Sequence, residues 1–176
     1  MKLKKFNFKT VNSTNDLAIQ IIKKTNNKSG IIIAEKQKKG RGQYGKKWTS
    51  FKGNLFVSIF FKINKVQLSL KDLTKVNCLL VKKLLSKFYN GKITIKKPND
   101  LLINRMKISG ILQEILTKSG EKFIVVGVGI NLTKSPIIKN YLTTNLFDLT
   151  GTKITPNYAA LRLKKIYEIF IPMFPK

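Results

Sequence analysis

Four short stretches carry side chains suited to holding negative charge at a reacting centre. The first is Gly40-Arg41-Gly42-Gln43-Tyr44-Gly45-Lys46-Lys47-Trp48. Its glycines let backbone N–H groups approach an anion, and Arg41 offers a planar donor fork for a carboxylate or phosphate. Trp48 can fix the far end of the loop on the core. Alone, this stretch reads equally as an anion-binding loop or a mobile basic one, and its spacing is not that of a P-loop. The second, Lys96-Lys97-Pro98-Asn99-Asp100, joins a carboxylate, an amide and a rigid turn. The third, Lys107-Ile108-Ser109-Gly110-Ile111-Leu112, follows closely enough to lie on the adjoining strand of a hairpin, which brings Lys107 near Asp100. An ordinary turn with a surface ion pair fits that segment as well. The fourth, Gly127-Val128-Gly129-Ile130-Asn131, interrupts a strand pattern with glycines. Either a ligand or another chain segment comes close there, or the strand bulges.

The chain has no histidine, which excludes a histidine-based triad and any histidine-ligated metal site. Few catalytic strategies survive that absence. There are 35 lysines and arginines against 8 aspartates and glutamates, a formal net charge of +27. Such a field attracts nucleic acid, phosphates and acidic protein surfaces. The lysines are spread over every segment, however, which favours a general compositional bias over one dedicated stripe.

The elements that must position these groups follow from periodicity. Residues 4–11 alternate and read as an opening strand. Ser13-Thr14-Asn15-Asp16 reads as a helix start, with Ser13 as cap, and Leu17, Ala18, Ile21 and Ile22 form its apolar face. Ile31-Ile32-Ile33 is a strand, residues 36–50 a long functional loop, and residues 55–61 a buried strand. Leu70, Leu73, Asn77, Leu80, Leu84 and Phe88 predict a helix over 69–89, ended by Asn90-Gly91. Residues 92–96, 101–103, 107–117 and 122–132 read as successive strands with turns at Asn104-Arg105 and Ser119-Gly120. Thr155-Pro156 opens a last helix whose face is Tyr158, Leu161, Ile166, Ile169 and Phe170. The expectation is one α/β (α+β) domain over residues 1–176, with a mostly antiparallel mixed sheet and helices packed on it. Cys78, among Val76, Leu79 and Leu80, is expected to be a small core residue. The first residues lack the apolar core of a secretory signal, and no apolar run approaches the ~20 residues of a membrane span. A cytoplasmic location is expected.

Taken together and in this order, Ser13-Thr14-Asn15, Gly40 to Trp48, Lys96 to Asp100, Lys107 to Glu114 and Gly127 to Asn131 resemble the catalytic domain of biotin–protein ligases. That family carries a serine-threonine-asparagine, a GRGRxGRxW-type loop, KWPND, KxxGIL(x)E and GxGIN, and the resemblance spans residues 8–170. It implies a biotin/lipoate-ligase-like fold, similar to class II aminoacyl-tRNA synthetases. The implied reaction uses biotin and Mg-ATP to make biotinyl-5′-AMP, then transfers biotin to a lysine of a biotin carboxyl carrier protein.

By position, Ser13, Thr14 and Gln37 resemble the groups around the biotin ring, with Asn15 beside them; Ser13-Thr14 also reads as a plain helix cap. Gly40, Arg41 and Gly42 resemble the loop that closes over biotin and the adenylate, with Gln43 and Trp48 in the same loop. Lys107 resembles the lysine facing the reacting oxygens. Asn99, Gly110, Leu112, Gly127 and Gly129 fall where the family lines its biotin and adenylate tunnel, and Asn131 where it contacts the adenylate. Arg41, Lys107 and Asp100 are the expected catalytic residues, Asp100 orienting or deprotonating the acceptor lysine. No metal ligands are assigned.

Gln43 stands where many members have a second arginine, Lys46 replaces another, and Lys97 replaces the tryptophan of KWPND. An N-terminal DNA-binding domain and a C-terminal small β-barrel are not expected, nor is specific DNA or membrane binding. The chain is expected to be a monomer or homodimer. A lipoate or octanoyl ligase of the same fold, a ligase that binds biotin but transfers poorly, and a basic nucleic-acid-binding module are the competing readings.

Overall fold

The structure is a computed structural model that describes residues 1–63, 69–139 and 141–173. Its centre is a seven-stranded sheet in the order β1-β2-β3-β7-β6-β5-β4. The strands are β1 (Lys4–Val11), β2 (Ser29–Gln37), β3 (Leu55–Ile63), β4 (Ile93–Lys96), β5 (Asp100–Ile103), β6 (Met106–Lys118) and β7 (Glu121–Ile130). Only β1 and β2 run parallel, joined across helix α1 (Thr14–Lys24); every other pairing is antiparallel. The mostly antiparallel mixed sheet expected from the sequence is therefore present.

The apolar runs in β2, β3 and β7 follow from a sheet covered on both faces. Ile31, Ile33, Ile59, Phe61, Ile124 and Val126 point to the face carrying α2 (Leu70–Leu85) and α4 (Pro156–Phe170). Their neighbours Ile32, Phe60, Phe123 and Val125 point to the other face, against Ala18 and Ile22 of α1. Two helix starts were legible as caps, Ser13 and Thr155, which accept from Asp16 and Tyr158 N–H; Ser69, accepting from Asp72 N–H, caps α2 in the same way. Two-residue turns at Asn104-Arg105 and Ser119-Gly120 have positive φ at both positions, the geometry that suits strand twist in a tight hairpin.

Several expectations need correction. β2 continues to Gln37, so the loop begins at Lys38. α2 ends at Leu85 with Ser86 as its cap, before Asn90-Gly91, and Leu70 is exposed. A short helix α3 (Leu146–Thr150) follows β7, capped by Asn145 and closed by left-handed Gly151. On α4 the buried face is Ala159, Ala160, Leu163, Ile166 and Tyr167, while Tyr158, Leu161 and Ile169 are exposed. Ile166 and Phe170 do face the core as expected, but the small alanines that let the helix sit close on the sheet were passed over in favour of three larger residues that point outward.

Cys78 is fully buried, and burial, helped by the Asp100 charge, pushes its thiol up to about 11. No described helix is long and apolar enough to cross a membrane. Beside Cys78, buried Asn77 joins three elements: it accepts from Tyr167 Oη at 2.9 Å and donates to Gln113 Oε1 at 2.6 Å. Asn77→Ala leaves the Tyr167 hydroxyl unmatched in the core and half-buried Gln113 without its donor. It should cost about 1–3 kcal/mol, read as a lower urea midpoint at unchanged slope. An unchanged midpoint would show that the bridge contributes nothing.

Candidate active site

One cavity of about 660 Å³ opens where α1, the loop after β2, the β4–β5 turn and the segment after β7 meet over β6 and β7. Its floor is a strip of sheet lacking side chains. Gly110 and Gly129 face each other across β6 and β7, and Gly127 pairs with Leu112. A Cβ on Gly110 would lie 2.7 Å from Trp48 Cζ3, one on Gly129 would overlap the same indole, and one on Gly127 would overlap Asn15 Oδ1. The ladders of β7 to β3 and β6 run unbroken through these glycines, so the bulge alternative is excluded there. The irregularity lies instead between Leu101 and Leu102 of β5, opposite Ile108, beside Lys107.

Loop 38–50 is held by its own backbone. Trp48 N–H donates to Gly40 O at 2.9 Å, Gly42 N–H to Lys46 O at 2.6 Å, and Arg41 bridges Lys47. The tip turns at Tyr44 and Gly45, both at positive φ, which leaves Tyr44 90% exposed. Gln37 Oε1 accepts from Thr14 N–H and its hydroxyl at 2.8 and 3.1 Å, tying β2 to the start of α1. Arg41 reaches away from the loop: its Nη2 is 2.7 Å from Asp16 Oδ1 and 2.8 Å from Glu114 Oε2. Burial opposes its charge, but the two carboxylates outweigh that and raise its pKa above the ordinary guanidinium value. Asn15 completes this corner, donating to Glu114 Oε2 at 2.7 Å and accepting from Ser58 Oγ at 2.5 Å.

On the opposite side Lys107 Nζ lies 2.7 Å from Asp100 Oδ1 and about equally far from two rings, 5.4 Å from Trp48 and 5.5 Å from Tyr141. Tyr141 Oη donates to Asp100 Oδ2 at 2.7 Å. Burial and the Asp100 charge push the Tyr141 hydroxyl well above its usual range, so it stays a donor. The segment after β7 is stitched to β6 at this residue: Lys107 N–H donates to Leu142 O and Thr144 N–H to Lys107 O. The Trp48 indole N–H is buried with no hydrogen-bond partner, a donor left over inside the cavity wall.

Ser13, Thr14, Asn15, Gln37, Arg41, Gly42, Gln43, Trp48, Asn99, Asp100, Lys107, Gly110, Leu112, Gly127 and Gly129 all line this cavity. Gly40 and Asn131 do not. Gly40 is buried beneath the loop against the Trp48 backbone, and Asn131 is buried with its amide donating to Thr144 O at 3.0 Å. Asn99 serves the hairpin, exchanging hydrogen bonds with Ile111 through its backbone carbonyl and side-chain amide. Sequence reasoning missed Ser58, Glu114 and Tyr141. Ser58 had a signal, a lone hydroxyl inside an apolar run; Glu114 sat unassigned in the third motif; Tyr141 lay in a stretch without periodicity.

With that geometry in place, residues 7–131 match the model of the biotin/lipoate A/B protein ligase family. The chain belongs to this family. It is 37% identical over 125 residues to the bifunctional ligase/repressor BirA of Escherichia coli, covering 69% of this chain and 38% of that protein. Against BirA of Salmonella typhimurium it is 32% identical over 139 residues, 78% of this chain and 43% of the relative. The chain thus spans less than half the length of both. Among solved structures, biotin protein ligase from Aquifex aeolicus in complex with biotin and ATP superposes with a TM-score of 0.80 at 28% identity, over 97% of this chain and 71% of that one. The seven-stranded sheet with its helices is this family's catalytic fold.

No group of three or more histidine, cysteine or acidic side chains able to hold a metal occurs among the described residues.

Because Trp48 is the only tryptophan, its seat can be read directly. Gly129→Ala should push the indole off the sheet and shift its fluorescence to the red, with faster proteolysis of loop 38–50. An unchanged spectrum would mean the indole does not depend on the bare strip.

Proposed function

We propose that this chain attaches biotin to a lysine of a biotin carboxyl carrier protein in an ATP-dependent reaction through biotinyl-5′-AMP. The observation that carries this reading is that one cavity gathers residues from all five motif segments, with Lys107 and Arg41 on opposite walls. In the first step a biotin carboxylate oxygen attacks the α-phosphorus of Mg-ATP. An O–P bond forms, the bond from that phosphorus to pyrophosphate breaks, and pyrophosphate leaves with the electron pair. The nucleophile is ionised at neutral pH, so no base is required, in keeping with a chain that has no histidine.

The difficulty is bringing anions together, and Lys107 answers it. Its ammonium is held by Asp100 Oδ1 and two ring faces rather than by a saturated hydrogen-bond shell. It can turn from Asp100 to the reacting oxygens without leaving its cage. Arg41 fixes the loop that covers the substrates, and Ser13 and Thr14 place polar groups on the wall where α1 begins, suited to a polar ring.

In the second step the acceptor lysine nitrogen attacks the carbonyl carbon of the mixed anhydride. A C–N bond forms, the C–O bond to phosphorus breaks, and AMP leaves. Once Lys107 faces phosphate, Asp100 Oδ1 is free to orient the incoming amine and take up its proton. Asp100 Oδ2 stays bound to Tyr141, which holds the carboxylate in place.

Incubation with biotin, Mg-ATP and a carrier domain should add one biotin, less water, to the acceptor lysine, and lipoic acid in place of biotin should not react. Lys107→Ala should lower biotin-dependent pyrophosphate release by about 10²-fold or more. Arg41→Ala should lower it by a similar factor through the loop that it fixes. Wild-type rates in both variants would sink the assignment, and a lipoate product would move the chain to the other branch of its family.

A further inference from the structure

Five lysines crowd the mouth of the cavity from three separate segments: Lys46 and Lys47 of the loop, Lys96 and Lys97 of the β4–β5 turn, and Lys139 of the segment after β7. All five are exposed, and none forms an ion pair among the described residues. The carboxylates near them are already matched: Asp100 holds Lys107, while Asp16 and Glu114 hold Arg41. Lys96 is oriented over the Tyr141 ring, 4.5 Å from its centroid. The rim therefore presents unpaired positive charge, and no acid among the described residues is placed to neutralise it.

This matters most for the second step of the reaction proposed above. The acceptor lysine arrives as an ammonium and must pass five like charges, which repel it at any separation within a Debye length. Pyrophosphate has left by then, and the adenylate that remains carries a single phosphate charge. Attraction must come from the acceptor itself.

Resting on the ligase reading, we infer that the five-lysine rim is the docking surface for an acidic acceptor, whose carboxylates flank the target lysine and pair with Lys46, Lys47, Lys96, Lys97 and Lys139. The rim then sorts acceptors by charge: a lysine among acids is drawn to the mouth, and a lysine among neutral or basic residues is turned away. Because these side chains are solvent-exposed, their effect falls on encounter and on salt dependence rather than on chemistry. An anionic nucleic acid meets the same charge, but a mouth that also opens onto the Lys107–Asp100 pair, with only Tyr44 and Trp48 as aromatic groups in the loop, offers little to stack bases.

The test uses the full chain and two carrier domains, one with acids flanking its target lysine and one with those acids changed to glutamine. Raising NaCl from about 50 to about 300 mM should raise KM for the acidic carrier about 5-fold. The double variant Lys97→Glu/Lys139→Glu should raise it roughly 10-fold while kcat and biotin-dependent ATP–pyrophosphate exchange stay within about 2-fold. Lys97→Arg should behave as wild type, and Lys97→Glu should recover on a carrier whose flanking acid is changed to lysine. If transfer is too slow to follow, anisotropy of a labelled carrier gives the same comparison as affinities. Absent exchange in the wild-type chain overturns the ligase reading and this inference with it. Exchange present, with acceptor KM or affinity indifferent to salt, to charge reversal and to the carrier's acids, overturns the inference alone. So does loss of duplex-DNA binding in the double variant while the acceptor is unaffected.

Discussion

At Gly110, Gly127 and Gly129 the sheet has no side chains, and the space is filled by Trp48 from one direction and Asn15 from the other. These contacts bring the basic loop and the start of α1 down onto β6 and β7. Without them the loop after β2 would have no apolar hold on the core, since Tyr44 at its tip is exposed and its other neighbours are polar. Side chains at these positions would lift both elements away and open the cavity to solvent. The glycines thus act through packing: what they leave out decides how close the cavity walls stand.

Charge is then arranged in two closed sets on facing walls. Arg41 is matched by Asp16 and Glu114, and Lys107 by Asp100. Each set ties separate elements together. Arg41 links the loop to α1 and β6, and Asp100 links the β4–β5 hairpin, through Tyr141, to the segment after β7. Ion pairs of this exposure add little stability on their own. Their effect is on placement, since each holds a flexible cation in the wall of the cavity. A site built this way needs no titrating imidazole.

How much of this could be read from the sequence depended on the kind of signal. Caps at Ser13 and Thr155, the two hairpin turns and the continuous apolar strands rest on local rules, and they appear as expected. The Lys107–Asp100 contact was within reach because a tight hairpin brings neighbours together, although the extra residue at Ile108 was not foreseen. The bare strip was legible only as a close approach; that Trp48 and Asn15 are what approach is a long-range fact with no local trace. The α4 face was read correctly at Ile166 and Phe170 and wrongly at Tyr158, Leu161 and Ile169, because alanines at 159 and 160 carry little hydrophobic weight yet are fully buried. Tyr141 was silent for a similar reason: its role depends on backbone pairing between Lys107 and Leu142–Thr144, far apart in the chain.

Asparagine holds the parts that apolar packing does not reach. Asn54 Oδ1 accepts from the N–H groups of Leu132, Thr133 and Lys134, and its amide donates to Lys134 O at 2.7 Å, which fixes the turn leaving β7. Asn131 holds Thr144 on the other side of the same segment, and Asn15 and Asn77 bridge helices to β6. All four are at most 2% exposed. A buried amide has both donor and acceptor, so it can satisfy two elements at once and costs heavily if either is missing. A composition rich in asparagine looks like bias when counted, but at these four positions a hydrophobic residue of similar size would pack and still leave the turns around the cavity without partners. The segment that carries Tyr141 runs across the surface with Ile137 and Leu142 exposed, so it has little apolar contact to hold it. Its place beside Asp100 then follows from amide and backbone hydrogen bonds, and the geometry of the Lys107–Asp100 pair depends on them.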